Sequence, residues 1–170
     1  MIIVTGMPRS GTSLIMRLLF MLDYHICGQA FPIRKNKAHN PSGYFEDEEL
    51  MQGDLRSIDQ TENFAVKVGL QSLINETVLD PLIHKVIICT RDIDDMVSSQ
   101  IATGLQPTSD ARCKMINQRW QQKFQEYIGE VPYLLVNLDN LRANKSGGVN
   151  AIRTFIEAIR PVDDAIGIIE

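Results

Sequence analysis

At 170 residues, with 44% hydrophobic and 22% charged residues, the chain has the size and composition of a single domain spanning 1–170, well outside the regime of disorder. A net charge of −4 and a pI near 5.4 exclude a nucleic-acid binder that works through a general basic surface, so any anion site must be local. The three cysteines, Cys27, Cys89 and Cys113, are odd in number and far apart, which suits neither a disulfide framework nor a paired metal knuckle; they are expected to be reduced thiols.

The chain opens on a β-branched run, Ile2-Ile3-Val4, that ends in Thr5-Gly6, and a long apolar helix is predicted from Gly11 to Leu22. Arg17 interrupts the apolar stretch 14–22, which is too short for the ~20 residues of a membrane span, and the start has no basic, cleavable leader. A cytoplasmic protein with no membrane span is the expectation. Residues 31–43 carry two prolines, a glycine and four basic or histidine side chains, Arg34, Lys35, Lys37 and His39, without either period, and predict a loop. The acidic run Glu46-Asp47-Glu48-Glu49 then predicts a helix to about 58, its carboxylates at the positive end of the dipole.

Short apolar runs at 64–68 and 85–89 predict buried parallel strands separated by a helical segment. After the second, polar Thr90-Arg91-Asp92 is expected to cap a helix to about 102, and Pro107 to open the longest helix, to about 128, with Trp120, Phe124 and Tyr127 at core spacing. A fourth strand at 133–136 and a closing helix at 149–159 complete the series. Strands alternating with helices predict a three-layer α/β sandwich with a parallel sheet.

The segment Gly6-Met7-Pro8-Arg9-Ser10-Gly11-Thr12-Ser13 places two glycines, four residues between them, and then a hydroxyl pair at the turn from strand to helix. Glycines let the backbone turn its N–H groups toward one point, and the helix start adds its dipole; this is an anion cradle of the phosphate-loop type. A strand-to-helix turn that needs only glycine geometry is the bland alternative. Nucleotide triphosphatases carry Lys directly after the second glycine, where this chain has Thr12, and no Asp ends the strand at Cys89 to organise magnesium. One cation, Arg9, with backbone amides suits a sulfuryl group, which carries less charge than a terminal phosphoryl group.

"TGMPRSGTS" followed by an apolar helix resembles the loop that holds the 5′-phosphosulfate in the sulfotransferase family, in the branch where Arg replaces the Lys of the cytosolic enzymes. "KVIICTRDIDDMVSSQ" is similar to the family's second motif, an Arg at a strand end and a Ser eight residues on, here Arg91 and Ser99. "NPSGYFEDEEL" and "YLLVNLDNLRAN", the latter with Asp139 at the usual acidic position, resemble two further segments, whereas the late glycine-rich "RKGxxGDW" has no counterpart. The resemblance implies a P-loop-like fold and transfer of a sulfuryl group from 3′-phosphoadenosine 5′-phosphosulfate, without a metal, to a hydroxyl or amine acceptor. Ser10, Gly11, Thr12 and Ser13 would then hold the 5′-phosphate with Arg9, and Arg91 and Ser99 the 3′-phosphate. Alone, Arg91 also reads as a surface residue paired with Asp92 or Asp95.

For the catalytic pair the expectation is Arg9, to stabilise charge on the transferring group, and Glu46, to take the acceptor proton, with Tyr44 and Phe45 as an apolar wall. Glu46 reads equally as part of an acidic first helical turn, and His39 is the second candidate base. His25 and His84 have weaker claims. Lys67, inside an apolar strand, is either a ligand of sulfate or acceptor or a snorkelling edge-strand lysine. The basic residues of 31–39 form an electropositive lip or a solvated loop. The acceptor, a small molecule, glycan or peptide hydroxyl, is left open by the residues. The rival readings are a magnesium-dependent kinase with an altered loop and a non-catalytic nucleotide-binding relative.

Overall fold

The N-terminal β-branched run forms β1 (Ile2–Gly6), which lies at the centre of a five-stranded, wholly parallel sheet. The computed structural model describes residues 1–30, 40–48, 64–75, 85–105, 131–158 and 163–169, together with positions 115, 118, 119 and 122. In chain order the elements are β1, α1 (Thr12–Met21), β2 (His25–Cys27), β3 (Phe64–Lys67), α2 (Leu70–Asn75) and β4 (Lys85–Thr90). These are followed by α3 (Ile93–Ala102), β5 (Tyr133–Asn137), α4 (Leu138–Ala143), α5 (Lys145–Ile156) and α6 (Asp163–Ile166). The strand order is β2-β3-β1-β4-β5, which makes the α/β fold class expected from the alternation the observed one.

Alternation along the buried strands divides the core in two, because successive side chains leave opposite faces of a sheet. Ile2, Val4, Ala65, Ile87 and Cys89 face α1, α5 and α6 in one cluster, while Ile3, Phe64, Val66, Val86 and Ile88 face α2 in the other. Helix α1 fills the first cluster with Ile15, Met16, Leu18 and Leu19, each almost fully buried and worth about 1.5–3 kcal/mol relative to exposure. Lys67 has the same parity as Ala65, so the alternation directs it to the α1 face.

Several elements differ from the sequence expectation. Strand β2, only three residues long with His25 exposed, carries too little apolar signal to be read. The closing helix expected at 149–159 begins earlier, at Lys145, as α5, with Asn144 accepting from the Gly147 amide at 3.0 Å as its cap, and the short α4 before it had no counterpart in the expectation. Glu46 is not in a helix but in an antiparallel bridge with Gln29, and helical backbone begins at Glu48. The remainder of that expected helix, and most of the one expected over 107–128 with Trp120, Phe124 and Tyr127, lie outside the described residues. Among the described residues no helix is long and apolar enough to cross a membrane.

The topology also locates a crevice. From β1 the chain turns toward β2 and β3, and from β4 toward β5, so the connections leave in opposite directions between neighbouring strands β1 and β4. Open α/β sheets bind ligands at the carboxyl edge of such a switch point. The glycine loop leaves β1 there and Arg91 leaves β4.

Candidate active site

Helix α1 begins without the usual devices. Gly11 stands at its N-cap with φ 101°, no side chain accepts from the first-turn amides, and no acidic residue lies in the first turn. Its orphan N–H groups and positive dipole end therefore remain for an anion. Helix α3 shows the contrast: the Asp92 carboxylate accepts from the amides of Asp94 and Asp95 at 2.9 and 3.2 Å. Beside the open α1 terminus, the Ser10 hydroxyl is buried and has no hydrogen-bond partner among the described residues, as has that of Thr5 on β1. Native interiors rarely leave such groups unmatched. Arg9 takes the left-handed region at φ 74°, an uncommon conformation for a residue with a Cβ and one that occurs at functional turns.

Close approach explains Gly6. A Cβ there would collide with the Ser10 hydroxyl and lie 2.6 Å from the Cys89 carbonyl oxygen, so the loop folds against β4 only with glycine at this position. Cys89 itself is fully buried; burial pushes its thiol up to about 12 against the opposing charge of Lys67, which keeps it protonated and removes it as a nucleophile.

Arg91 and Ser99, the second expected pair, each contact another segment of the site. Ser99, on α3, accepts a hydrogen bond from Arg9 Nε at 2.9 Å, and the neighbouring Gln100 amide donates to the Pro8 carbonyl at 2.9 Å. Helix α3 is thus fastened to the glycine loop. Arg91 is paired with neither Asp92 nor Asp95. Its Nε, buried and without a hydrogen bond, lies 3.5 Å from Asp139 Oδ1 on α4.

Lys67 and Glu46 make the third component. Lys67 is on β3, an inner strand between β2 and β1, so it is no snorkelling edge residue. Its ammonium donates to Glu46 Oε1 at 2.8 Å, the Tyr44 carbonyl at 3.0 Å and the Ser13 hydroxyl at 3.3 Å. The two charged side chains are 8% and 16% exposed, a buried ion pair that joins the last hydroxyl of the glycine loop to the expected base. Glu46 arrives there because 29–30 and 44–46 pair backbone to backbone, Tyr44 and Phe45 donating to the Ala30 carbonyl. Arg17 of α1 pins the same segment through the Ser42 hydroxyl at 2.7 Å.

Arg9, Ser10, Gly11, Thr12, Ser13, Glu46, Arg91 and Ser99 therefore all lie at the carboxyl edge of the sheet, with Lys67 among them. His25 is exposed on edge strand β2. His39, His84, Arg34, Lys35 and Lys37 lie outside the described residues. Asp139 and Gln100 are residues that sequence reasoning gave no role. Gln100 carries a readable signal, a polar residue on the inward side of a helix whose Met96, four residues earlier, is buried.

This strand order, glycine loop and switch-point crevice define a phosphate-loop α/β protein, and its architecture is the sulfotransferase fold. Two solved structures of retinol dehydratase, a sulfotransferase, are similar to it: one in complex with androsterone and the inactive cofactor PAP, at TM-score 0.61 and 14% identity, and one with retinol and PAP, at TM-score 0.58 and 16% identity. The alignments cover 99% of this chain and 62% and 63% of those chains, so the chain spans a little over three fifths of their length. At this identity the likeness is one of fold. No protein-family model and no curated protein matches the sequence.

Proposed function

We propose that the chain transfers a sulfuryl group from 3′-phosphoadenosine 5′-phosphosulfate to the hydroxyl of a small acceptor. The observation that carries the reading is the pair of anion-binding features on adjacent strands: an uncapped α1 terminus with the buried Ser10 hydroxyl after β1, and Arg91, in an ion pair with Asp139 that lacks a hydrogen bond, after β4. A nucleotide with phosphates on both its 5′ and 3′ positions carries two anionic groups. The PAP held by both retinol dehydratase structures supports such a donor, and their androsterone and retinol support a small hydroxylated acceptor.

In this reading the amides of residues 11–13, the Ser10 hydroxyl and Arg9 hold the 5′-phosphosulfate, and Arg91 holds the 3′-phosphate. The Ser99 hydroxyl accepts from Arg9 and still has its own proton to donate to a phosphate oxygen. Glu46 takes the proton of the acceptor hydroxyl; the acceptor oxygen bonds to sulfur as the sulfur–oxygen bond to the 5′-phosphate breaks, and Arg9 stabilises the electrons left on that oxygen. Lys67, between Ser13 and Glu46, keeps the carboxylate in place and brings positive charge to the transferring group.

Calorimetry without magnesium tests the donor site, with adenosine 3′,5′-bisphosphate against ATP. Tight bisphosphate binding that Arg91→Ala weakens by about 1.5–3 kcal/mol, the worth of a charged hydrogen bond, is the expected result. A preference for ATP with magnesium would overturn the reading in favour of a kinase. Bisphosphate binding without sulfuryl transfer to any of a panel of alcohols, phenols and sugars would leave a nucleotide-binding relative.

A further inference from the structure

Helix α4 touches both anion-binding segments with its first two residues. Leu138 packs over Gly11, where an added Cβ would lie 3.0 Å from Leu138 Cδ1. Asp139 turns the other way: Oδ2 accepts from the Asp92 amide at 3.0 Å while Oδ1 stands 3.5 Å from Arg91 Nε. In an ordinary capping box the N-cap amide is bonded by a side chain three residues along the same helix. For α3 that position is Asp95, yet the amide of its N-cap, Asp92, is taken by Asp139 of a different helix. One carboxylate thus spans two consecutive residues of the β4–α3 turn, the backbone of one and the guanidinium of the other. Its contact with Arg91 is an ion pair without a hydrogen bond, since Nε stays unmatched.

We propose that Asp139 is a positioning residue for recognition of the 3′-phosphate, an inference that rests on the donor site assigned above. A carboxylate on the Nε side of an arginine leaves the two terminal nitrogens of the fork for a second anion and fixes the plane in which they point. Arrival of that anion completes the arrangement, and the Arg91–Asp139 contact closes to a hydrogen bond.

The alternative role has the opposite sign. A negative charge beside an anion site, if it did nothing else, would weaken binding of every phosphate, and its removal would raise affinity for all of them alike. The test is magnesium-free calorimetry with adenosine 3′,5′-bisphosphate and adenosine 5′-monophosphate on the full chain, as wild type, Asp139→Ala, Asp139→Asn, Asp139→Glu, Arg91→Ala and the Arg91→Ala/Asp139→Ala double variant. Asp139→Ala is expected to reduce the preference for the bisphosphate by about tenfold, the lower range for one charged hydrogen bond. Asp139→Glu is expected to restore it, and Asp139→Ala to change nothing further in the Arg91→Ala background. Asp139→Asn keeps an acceptor for the Asp92 amide, so it reports on the charge alone if the alanine variant does not fold. An unchanged preference in the Asp139 variants, or a parallel gain in affinity for both nucleotides, overturns the positioning role while leaving the donor site intact. A wild type without preference for the bisphosphate, or one whose preference survives Arg91→Ala, overturns the donor site and this inference with it.

Discussion

Replacing Lys67 by Met keeps most of the side-chain volume and removes the ammonium, and with it the 2.8 Å ion pair to the Glu46 carboxylate, which is 16% exposed. Breaking a buried pair by removing one member destabilises by about 3–5 kcal/mol, and partial exposure of Glu46 puts the expected loss at the lower end, about 3 kcal/mol. For a chain of this length that lowers Tm by roughly 6–12 °C. Glu46→Gln retains an acceptor for Lys67 but removes the negative charge of the pair, for an expected loss of about 1–2 kcal/mol. The double variant leaves no uncompensated charge and is expected to be more stable than Lys67→Met alone, with a coupling of at least about 1.5 kcal/mol. Urea unfolding of the four proteins measures it. Single effects that add to the double within about 0.5 kcal/mol would refute the claim that the pair is a coupled buried unit.

Gly6→Ala brings a methyl group within 2.6 Å of the Cys89 carbonyl oxygen and should destabilise by about 1–3 kcal/mol, with loss of nucleotide binding in calorimetry. The Glu157 carboxylate is held below its ordinary value near 4.5 by its bond with Lys85. A depressed folded-state value contributes stability above about pH 4.5 that is lost as pH falls, so Lys85→Met should flatten the acid limb of a stability–pH profile from urea unfolding, and an unchanged limb would contradict this. Cys89, protonated and buried, should resist alkylation at pH 8 until the chain unfolds; peptide mapping that finds it modified in native conditions would count against the packing under the loop. Asn144→Ala should cost about 1 kcal/mol through the lost cap of α5, read from the urea midpoint.

Most of the sheet is legible in the sequence because β1, β3 and β4 are buried on both faces and read as continuous apolar runs, and β5 carries such a run although Tyr133 and Leu135 are exposed. Strand β2 is not, since its three residues lie at an edge and include an exposed histidine. At the site, the glycine loop can be found from local spacing, and Arg91 and Ser99 from the resemblance of their segment to the sulfotransferase motif. Their partners cannot. Ser99 meets Arg9 across 90 positions, Lys67 meets Glu46 across 21 and Arg91 meets Asp139 through a helix that begins 47 residues after Arg91. Each of these pairings is decided by strand order, which one-dimensional periodicity does not contain. Asp139 had the further disguise of a first-turn acid, a residue that the α4 dipole explains without any second role.

The two-residue ladder between 29–30 and 44–46 has a consequence for how such a site can change. The glycine loop and Arg91 hang from strands of a five-member sheet, where a shift of one residue would displace a core face, whereas the segment bearing Tyr44 and Glu46 is joined to 29–30 by a few backbone bonds. Positions between Ala30 and Asn40 fall between the two arms of that ladder and outside β1 and β4. On the function proposed above, the segment bearing Glu46 would be a replaceable fitting on a fixed chassis: what is modified could change while the means of gripping the donor is inherited unaltered.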